Sequence, residues 1–217
     1  MGATQAKRNL GAKRNRGAIG RTVAGLGLVV AIAGCAPTGE SFRPSGHTAP
    51  AYQATGDTFL QITAQGAGPI TAATPFNSRA ITGGMPGYTT GHVTIGLENS
   101  TPDALVLFKE EYGGRIQVLH VLGEGGRIGQ IHGVTHHVIG PGGERPGMSF
   151  REAGTDPSTC RIGTNLWLGM AICRSRAAPN VVLTYSFQGE AAMSTQLPPR
   201  NVLDTGMLQR IIWTPPS

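Results

Sequence analysis

The sequence predicts an α+β fold: mainly an antiparallel, twisted β-sheet with one or two short helices and one disulfide. Three observations predict it. Glycine is 33 of 217 residues, about twice the usual share of roughly 7%, and glycine marks turns and bulges while weakening helix interiors. Short β-type runs recur between turn residues every 8–12 positions or so, the signature of an antiparallel meander. A single cysteine pair remains in the C-terminal part, with twelve residues between its members. Aromatic residues are only 6% of the chain, so the core must lean on Val, Ile and Leu.

The elements follow in order. Thr58–Ala64 (TFLQITA) reads as a strand. Thr74-Pro75 resembles an N-cap followed by proline at the first helical position, predicting a short helix over Pro75–Thr82 that Gly83-Gly84 ends. Strand-like runs then cover Tyr88–Glu98, Ala104–Glu111, Arg115–Leu122, Arg127–His132 and Val134–Ile139. In Arg115–Val121 (RIQVLHV), simple alternation puts Ile116, Val118 and His120 on one face, Gln117, Leu119 and Val121 on the other. Met148–Ala153 reads as one or two helical turns, and Leu166–Cys173, Val181–Gln188 and Met207–Trp213 complete the strands.

The N-terminal quarter is organised differently. Residues 1–34 read as a lipoprotein signal peptide, residues 35–57 as a lipidated cysteine and flexible tether, and residues 58–217 as a β-rich periplasmic domain. Six cations precede the apolar run Val23–Gly34. Twelve residues are too few to span a bilayer, which takes about 20, but they suit an export leader. The run ends Ile32-Ala33-Gly34-Cys35. That string resembles the bacterial lipobox: the slim Ala33 and Gly34 admit a membrane-embedded peptidase, and the Cys35 thiol forms a thioether to diacylglycerol. A third acyl chain on the new N-terminus would make the anchor stable, since two or more chains hold where one does not. Ala36, rather than an acid, follows Cys35 and resembles the outer-membrane address of Gram-negative envelopes. The Pro-, Gly- and Ser-rich stretch 36–57 would span about 25 Å as a coil.

Charge excludes one function class. The formal charge of +6 comes from the leader: after Cys35, 12 basic residues face 12 acidic ones. No basic stripe remains for a phosphate backbone, so nucleic acid is not an expected partner. In an exported chain the pair Cys160 and Cys173 predicts a disulfide that staples a hairpin across Arg161–Ile172. Closing that loop is worth about 3 kcal/mol in the chain-entropy picture.

Chemistry-bearing motifs are sparse. His132, His136 and His137 (IHGVTHH) form the strongest cluster. Gly133, Val134 and Thr135 argue against a helix, and on a strand His132 and His136 would stand about 13 Å apart. One metal ion could be shared only through a tight turn at Gly133, with His120 as a further ligand. The expected reading is therefore no metal site. Gly123–Gly126 (GEGG) lacks the Lys and the following helix of a phosphate loop and reads as a turn. Gly147-Met148-Ser149-Phe150 misses the second glycine of a nucleophile elbow, so Ser149 reads as a helix cap. Glu110 and Glu111 are adjacent and point to opposite faces of a strand. No catalytic residue and no cofactor is expected.

Several segments carry a family resemblance: GAGPITAATPF (Gly66–Phe76), IGQIHGV (Ile128–Val134), the Cys160 and Cys173 pair, LTYSFQGE (Leu183–Glu190) and LQRIIW (Leu208–Trp213). Taken in order, they resemble the RpoE-regulated lipoprotein family of Gram-negative envelopes, built on a domain of unknown function. The likeness runs from Gly66 to Trp213, and this chain departs from it in its glycine content and its shortened helix. It implies an α+β envelope lipoprotein without an established activity. The expectation is a non-enzymatic outer-membrane lipoprotein facing the periplasm, serving envelope maintenance or stress response by contact with an envelope protein. Two alternatives remain: an inhibitor of a cell-wall hydrolase or protease, and a metal-dependent envelope enzyme built on the histidines.

Overall fold

The computed structural model describes residues 57–111 and 113–216. Ile32, Ala33, Gly34 and Cys35, with the tether up to residue 56, lie outside the described residues. Among the described residues the chain forms, in order, β1 (Leu60–Thr63), β2 (Gly66–Ala67), β3 (Ile70–Thr71), α1 (Ser78–Thr82), β4 (Tyr88–Thr94), β5 (Asp103–Glu111), β6 (Gly114–Glu124), β7 (Arg127–Gly133), β8 (Val138–Ile139), β9 (Cys160–Ile162), β10 (Ala171–Arg174), β11 (Val181–Ser186), α2 (Arg200–Leu203) and β12 (Met207–Trp213). Eight strands make one antiparallel sheet in the order β4-β5-β6-β7-β12-β11-β10-β9. The expected fold class is therefore the observed one. The chain's last strand lies in the middle of this sheet, between two sets of hairpins.

One face of the large sheet holds the main core. Leu107, Leu119, Val121, Ile131, Leu183, Tyr185, Ile211 and Trp213 pack there against Leu60, Ile62, Ala67 and Ile70 of a second, four-stranded sheet ordered β3-β2-β1-β8. Trp213 bridges the two layers: its indole Nε1 donates to the Ala64 carbonyl at 2.9 Å. Asn180 Nδ2 donates to the same carbonyl (2.9 Å) and to that of Thr214 (2.8 Å).

The sheets approach closely at Gly133. A Cβ there would stand 2.7 Å from Val138 Cγ1 and 3.0 Å from Ile62 Cδ1. Gly133→Ala should therefore force the layers apart and lower stability by about 1–3 kcal/mol, the usual cost of overpacking. A shift in the urea midpoint at constant slope checks this.

Several expected boundaries are corrected. The helix starts later than Pro75, because Thr74 Oγ1 accepts from Thr71 N (3.0 Å) and Asn77 caps instead, accepting from Ala80 N at 2.8 Å. Within the expected strand Val134–Ile139, only Val138 and Ile139 are extended, and they pair in parallel with β1 rather than continuing the meander. Tyr88–Glu98 leaves the ladder at Thr94, and Leu166–Cys173 becomes a 3-10 turn (Asn165–Trp167) before β10 begins. Ser149 caps a single turn as expected: its N and Oγ both donate to Glu152 Oε2 at 2.7 Å, and Ala153 N returns to Ser149 O. The cysteines meet as expected. Cys160 and Cys173 are direct partners across β9 and β10 and form a disulfide.

Candidate functional site

The second face of the large sheet carries a different set of side chains. A bulge in β6 sets its composition. Leu107 pairs with Leu119 but Phe108 pairs with Gln117, so Val118 is the extra residue and turns into the main core. Alternation is broken there, and Gln117 comes round to the face of His120, where its carboxamide meets His120 Nε2. His120 is the direct cross-strand partner of His132. His132 is fully buried; its Nε2 donates to Gln130 Oε1 at 2.9 Å, and its Nδ1 accepts from Arg210 Nη1 at 3.5 Å. Arginine can only donate, so this imidazole is neutral. Burial, then the Arg210 and His120 charges, hold the His132 pKa down at about 3. Burial, then Arg210, lower that of His120 to about 4.

Arg210 is the centre of this cluster. Its Nη1 also reaches the Gly96 carbonyl at 3.3 Å, and Thr184 is its cross-strand partner on β11. Among the described residues no carboxylate forms an ion pair with Arg210. Two buried polar atoms in the same sheet face lack partners: His120 Nδ1 and Thr184 Oγ1.

The loop after β4 straps across this face. Although β4 is one edge of the sheet and β9 the other, Glu98 takes both guanidinium arms of Arg161 on β9, at 2.6 and 2.5 Å. Thr164 donates to Glu98 from N (2.8 Å) and Oγ1 (3.0 Å). These bonds, Arg161 foremost, bring the Glu98 pKa down to about 2. Trp167 Nε1 donates to the Gly96 carbonyl at 3.2 Å. The sheet therefore curls until its two edges communicate through one loop.

A second feature lies beside the strap. Leu166 is 58% exposed, Leu168 38% and Met193 72%. They sit on two abutting loops: a Cβ on Gly169 would lie 2.0 Å from the Ala192 carbonyl oxygen, and Gly169 has φ +77°. Only glycine allows that approach in that conformation. The result is an apolar tip at the end of the disulfide-bridged β9–β10 hairpin.

The expected histidine cluster is split. His132 faces the strap. His136 and His137 lie beyond β7, with ring centroids 3.8 Å apart, and His137 stacks on Phe59 at 4.2 Å. His137 Nδ1 bonds the Asp57 carbonyl at 2.6 Å. Among the described residues no three His, Cys, Asp or Glu side chains converge as metal ligands. Alternation on a straight strand missed this arrangement because the Gln117–His120 pair needs a bulge and the His120–His132 pair needs a register. Nothing in the local sequence marks Arg210 or Thr184.

No match is found among curated proteins. Among solved structures, the crystal structure of the uncharacterized protein yfeY from Escherichia coli is similar in fold, with a TM-score of 0.54 at 17% identity. The match covers 71% of this chain and 99% of that one. A family model spans residues 51–215, nearly all of the region described above, and the chain belongs to that family, described as Protein of unknown function (DUF1131).

Proposed function

We propose that this chain is an outer-membrane lipoprotein, anchored through Cys35, whose periplasmic domain is non-catalytic and works by contact with an envelope protein. The role is envelope maintenance or an RpoE-controlled stress response. The observation that carries the contact reading is the apolar tip: Leu166 and Leu168 stand in solvent on a disulfide-bridged hairpin, and Met193 stands in solvent on the loop that abuts it. Large apolar side chains grouped on a rigid, exposed element are what a protein interface uses as anchors. The bridge itself suits an oxidising compartment, and the leader with Ile32-Ala33-Gly34-Cys35 supplies the route there.

Site-specific photocrosslinkers at Leu166 and Met193, with a control at Glu110, at the opposite end of β5 from the strap, test the reading in intact cells. The expected result is one shared adduct from both tip positions and none from Glu110, lost when Leu168→Ser is added. Adducts of equal pattern from all three positions would contradict it.

A further inference from the structure

We infer that the open edge of the large sheet, β4, pairs with β4 of a second copy of this chain, antiparallel and about a two-fold axis at Gly91. This goes beyond the contact function proposed above and uses a different surface.

The two edges of that sheet are built differently. β9 has three residues, is bridged to β10 by the disulfide and is tied down by the Arg161–Glu98 ion pair. β4 has seven residues (YTTGHVT), in unbroken register with β5 from Tyr88 opposite Lys109 to Thr94 opposite Asp103. It carries none of the devices that keep an edge from pairing: no proline, no lysine or acid, and no bulge against β5. Which backbone groups point outward follows from the ladder. Glu110 N donates to the Gly87 carbonyl at 3.1 Å, and Ile95 N to that of Pro102 at 3.0 Å. Hydrogen-bonded pairs recur at every second residue. Thr89, Gly91 and Val93 therefore turn their backbone groups to β5, while Thr90, His92 and Thr94 turn theirs away. Among the described residues, none of those outward N–H and C=O groups has a partner.

Charge selects the occupant and its register. Lys109 Nζ lies over the Tyr88 ring, 5.0 Å from its centroid, and 3.9 Å from Glu111. At the other end of the strand, Asp103 Oδ1 accepts from Thr94 Oγ1 at 2.8 Å. One end of the edge thus carries an ammonium and the other a carboxylate. Antiparallel pairing with Gly91 opposite Gly91 sets Tyr88 against Thr94 and brings Lys109 of each copy toward Asp103 of the other. A parallel pairing would set like ends together. In this register Thr90 and His92 exchange backbone bonds across the joint, and Thr94 N meets the Tyr88 carbonyl. The Tyr88 N–H stays with the Met85 carbonyl (3.2 Å). A Cβ on Gly91 would stand 3.1 Å from Phe108 Cε2, so each Phe108 ring lies beside the axis and the two rings come together there. The joint uses the same patch on both copies, as a closed dimer requires. Tyr88 Oη also donates to the Phe59 carbonyl at 3.0 Å, so both chain starts lie on the same side of the joined sheet. Glu110 is level with Gly87, beyond the paired segment, and the crosslinking control above therefore meets no second copy.

The test uses the purified full chain in detergent, with micelles in excess over chains. Two variants with one added cysteine, Thr90→Cys and His92→Cys, are oxidised alone and mixed. The mixture should give a crosslinked species of twice the chain mass and neither variant alone should, because this register sets Thr90 against His92 and neither against itself. The parent chain should sediment as a dimer. Thr90→Pro removes an outward N–H and no ladder bond to β5, and should weaken association by about tenfold or more. Lys109→Asp should weaken it by roughly tenfold, since two exposed pairs turn from attraction to repulsion, and adding Asp103→Lys should restore it. That rescue keeps the claim open to test if Thr90→Pro does not fold. A parent chain that stays monomeric would overturn the pairing, as would a crosslink from His92→Cys alone or a dimer that Lys109→Asp leaves intact. A monomer whose Thr90 and His92 amides resist hydrogen exchange would give the edge to this chain's own N-terminal segment and overturn the second copy as well.

Discussion

Replacing Cys160 and Cys173 by serine should lower the unfolding free energy by about 3 kcal/mol, the chain-entropy value for a loop of this size. The structural reason adds to the entropic one. β9 is a three-residue edge strand that pairs, among the described residues, with β10 alone, and the bridge joins the pair at its first residue. Without it the strand has little to hold it, since so short a segment contributes few ladder bonds. Arg161 sits in that strand and carries the ion pair to Glu98. Loss of the bridge should therefore also loosen the strap and expose His120 and His132. Urea unfolding of the oxidised, reduced and doubly substituted proteins checks this. The reduced and substituted forms should coincide, both well below the oxidised one. A difference under about 1 kcal/mol would mean that the loop is already ordered in the unfolded reference state.

The second large effect is a loss of stability in mild acid. Both buried imidazoles ionise near pH 6.5 in the unfolded chain but near pH 4 (His120) and pH 3 (His132) in the fold. Between those values the unfolded state binds more protons, so stability falls as the pH drops below about 6.5. For the fully buried His132 the loss between pH 7 and pH 5 is about 2 kcal/mol. His120 adds a loss of the same sign. Glu98 acts in a separate window: its depressed pKa stabilises the fold above about pH 4.5, and that contribution disappears as the pH falls toward 2. The measurement is unfolding free energy at pH 7 and pH 5 for the parent and for His120→Gln/His132→Gln. The variant should lose most of the slope. An unchanged slope would place the sensitive groups elsewhere.

Much of the fold was legible because glycine and turn residues punctuate it. The hairpins β4–β5, β5–β6 and β6–β7 fall where the turns predict, and the cysteine spacing identified the β9–β10 staple. Less legible was the position of β12. Nothing local in Met207–Trp213 says that it inserts between β7 and β11, because only long-range packing decides strand order. β9 was missed since three residues carry no periodicity. The small sheet was missed for the same reason, as β2, β3 and β8 have two residues each.

The His120–His132 pair shows where alternation fails. Counting outward from the Gly125–Gly126 turn, Glu124 meets Arg127 and Gly123 meets Ile128. Continued without a break, that register would set His120 against Ile131. Gly129 is extra, Leu122 pairs with Gln130, and His120 meets His132 instead. A glycine inside a strand run is the sequence signal for such a bulge, so this pair was within reach. The Val118 bulge has no glycine to mark it. Arg210 and Thr184 come together only through the β11–β12 register, which itself shifts between Thr184 and Tyr185.

The claim on which the proposed location and role rest is the lipid on Cys35, and intact mass spectrometry of the chain purified from its own envelope tests it most directly. The account predicts a mature chain that starts at Cys35 and carries a diacylglyceryl group on sulfur, with a further acyl chain on the new amine. A full-length chain with its leader attached and no acyl mass on that cysteine would contradict it.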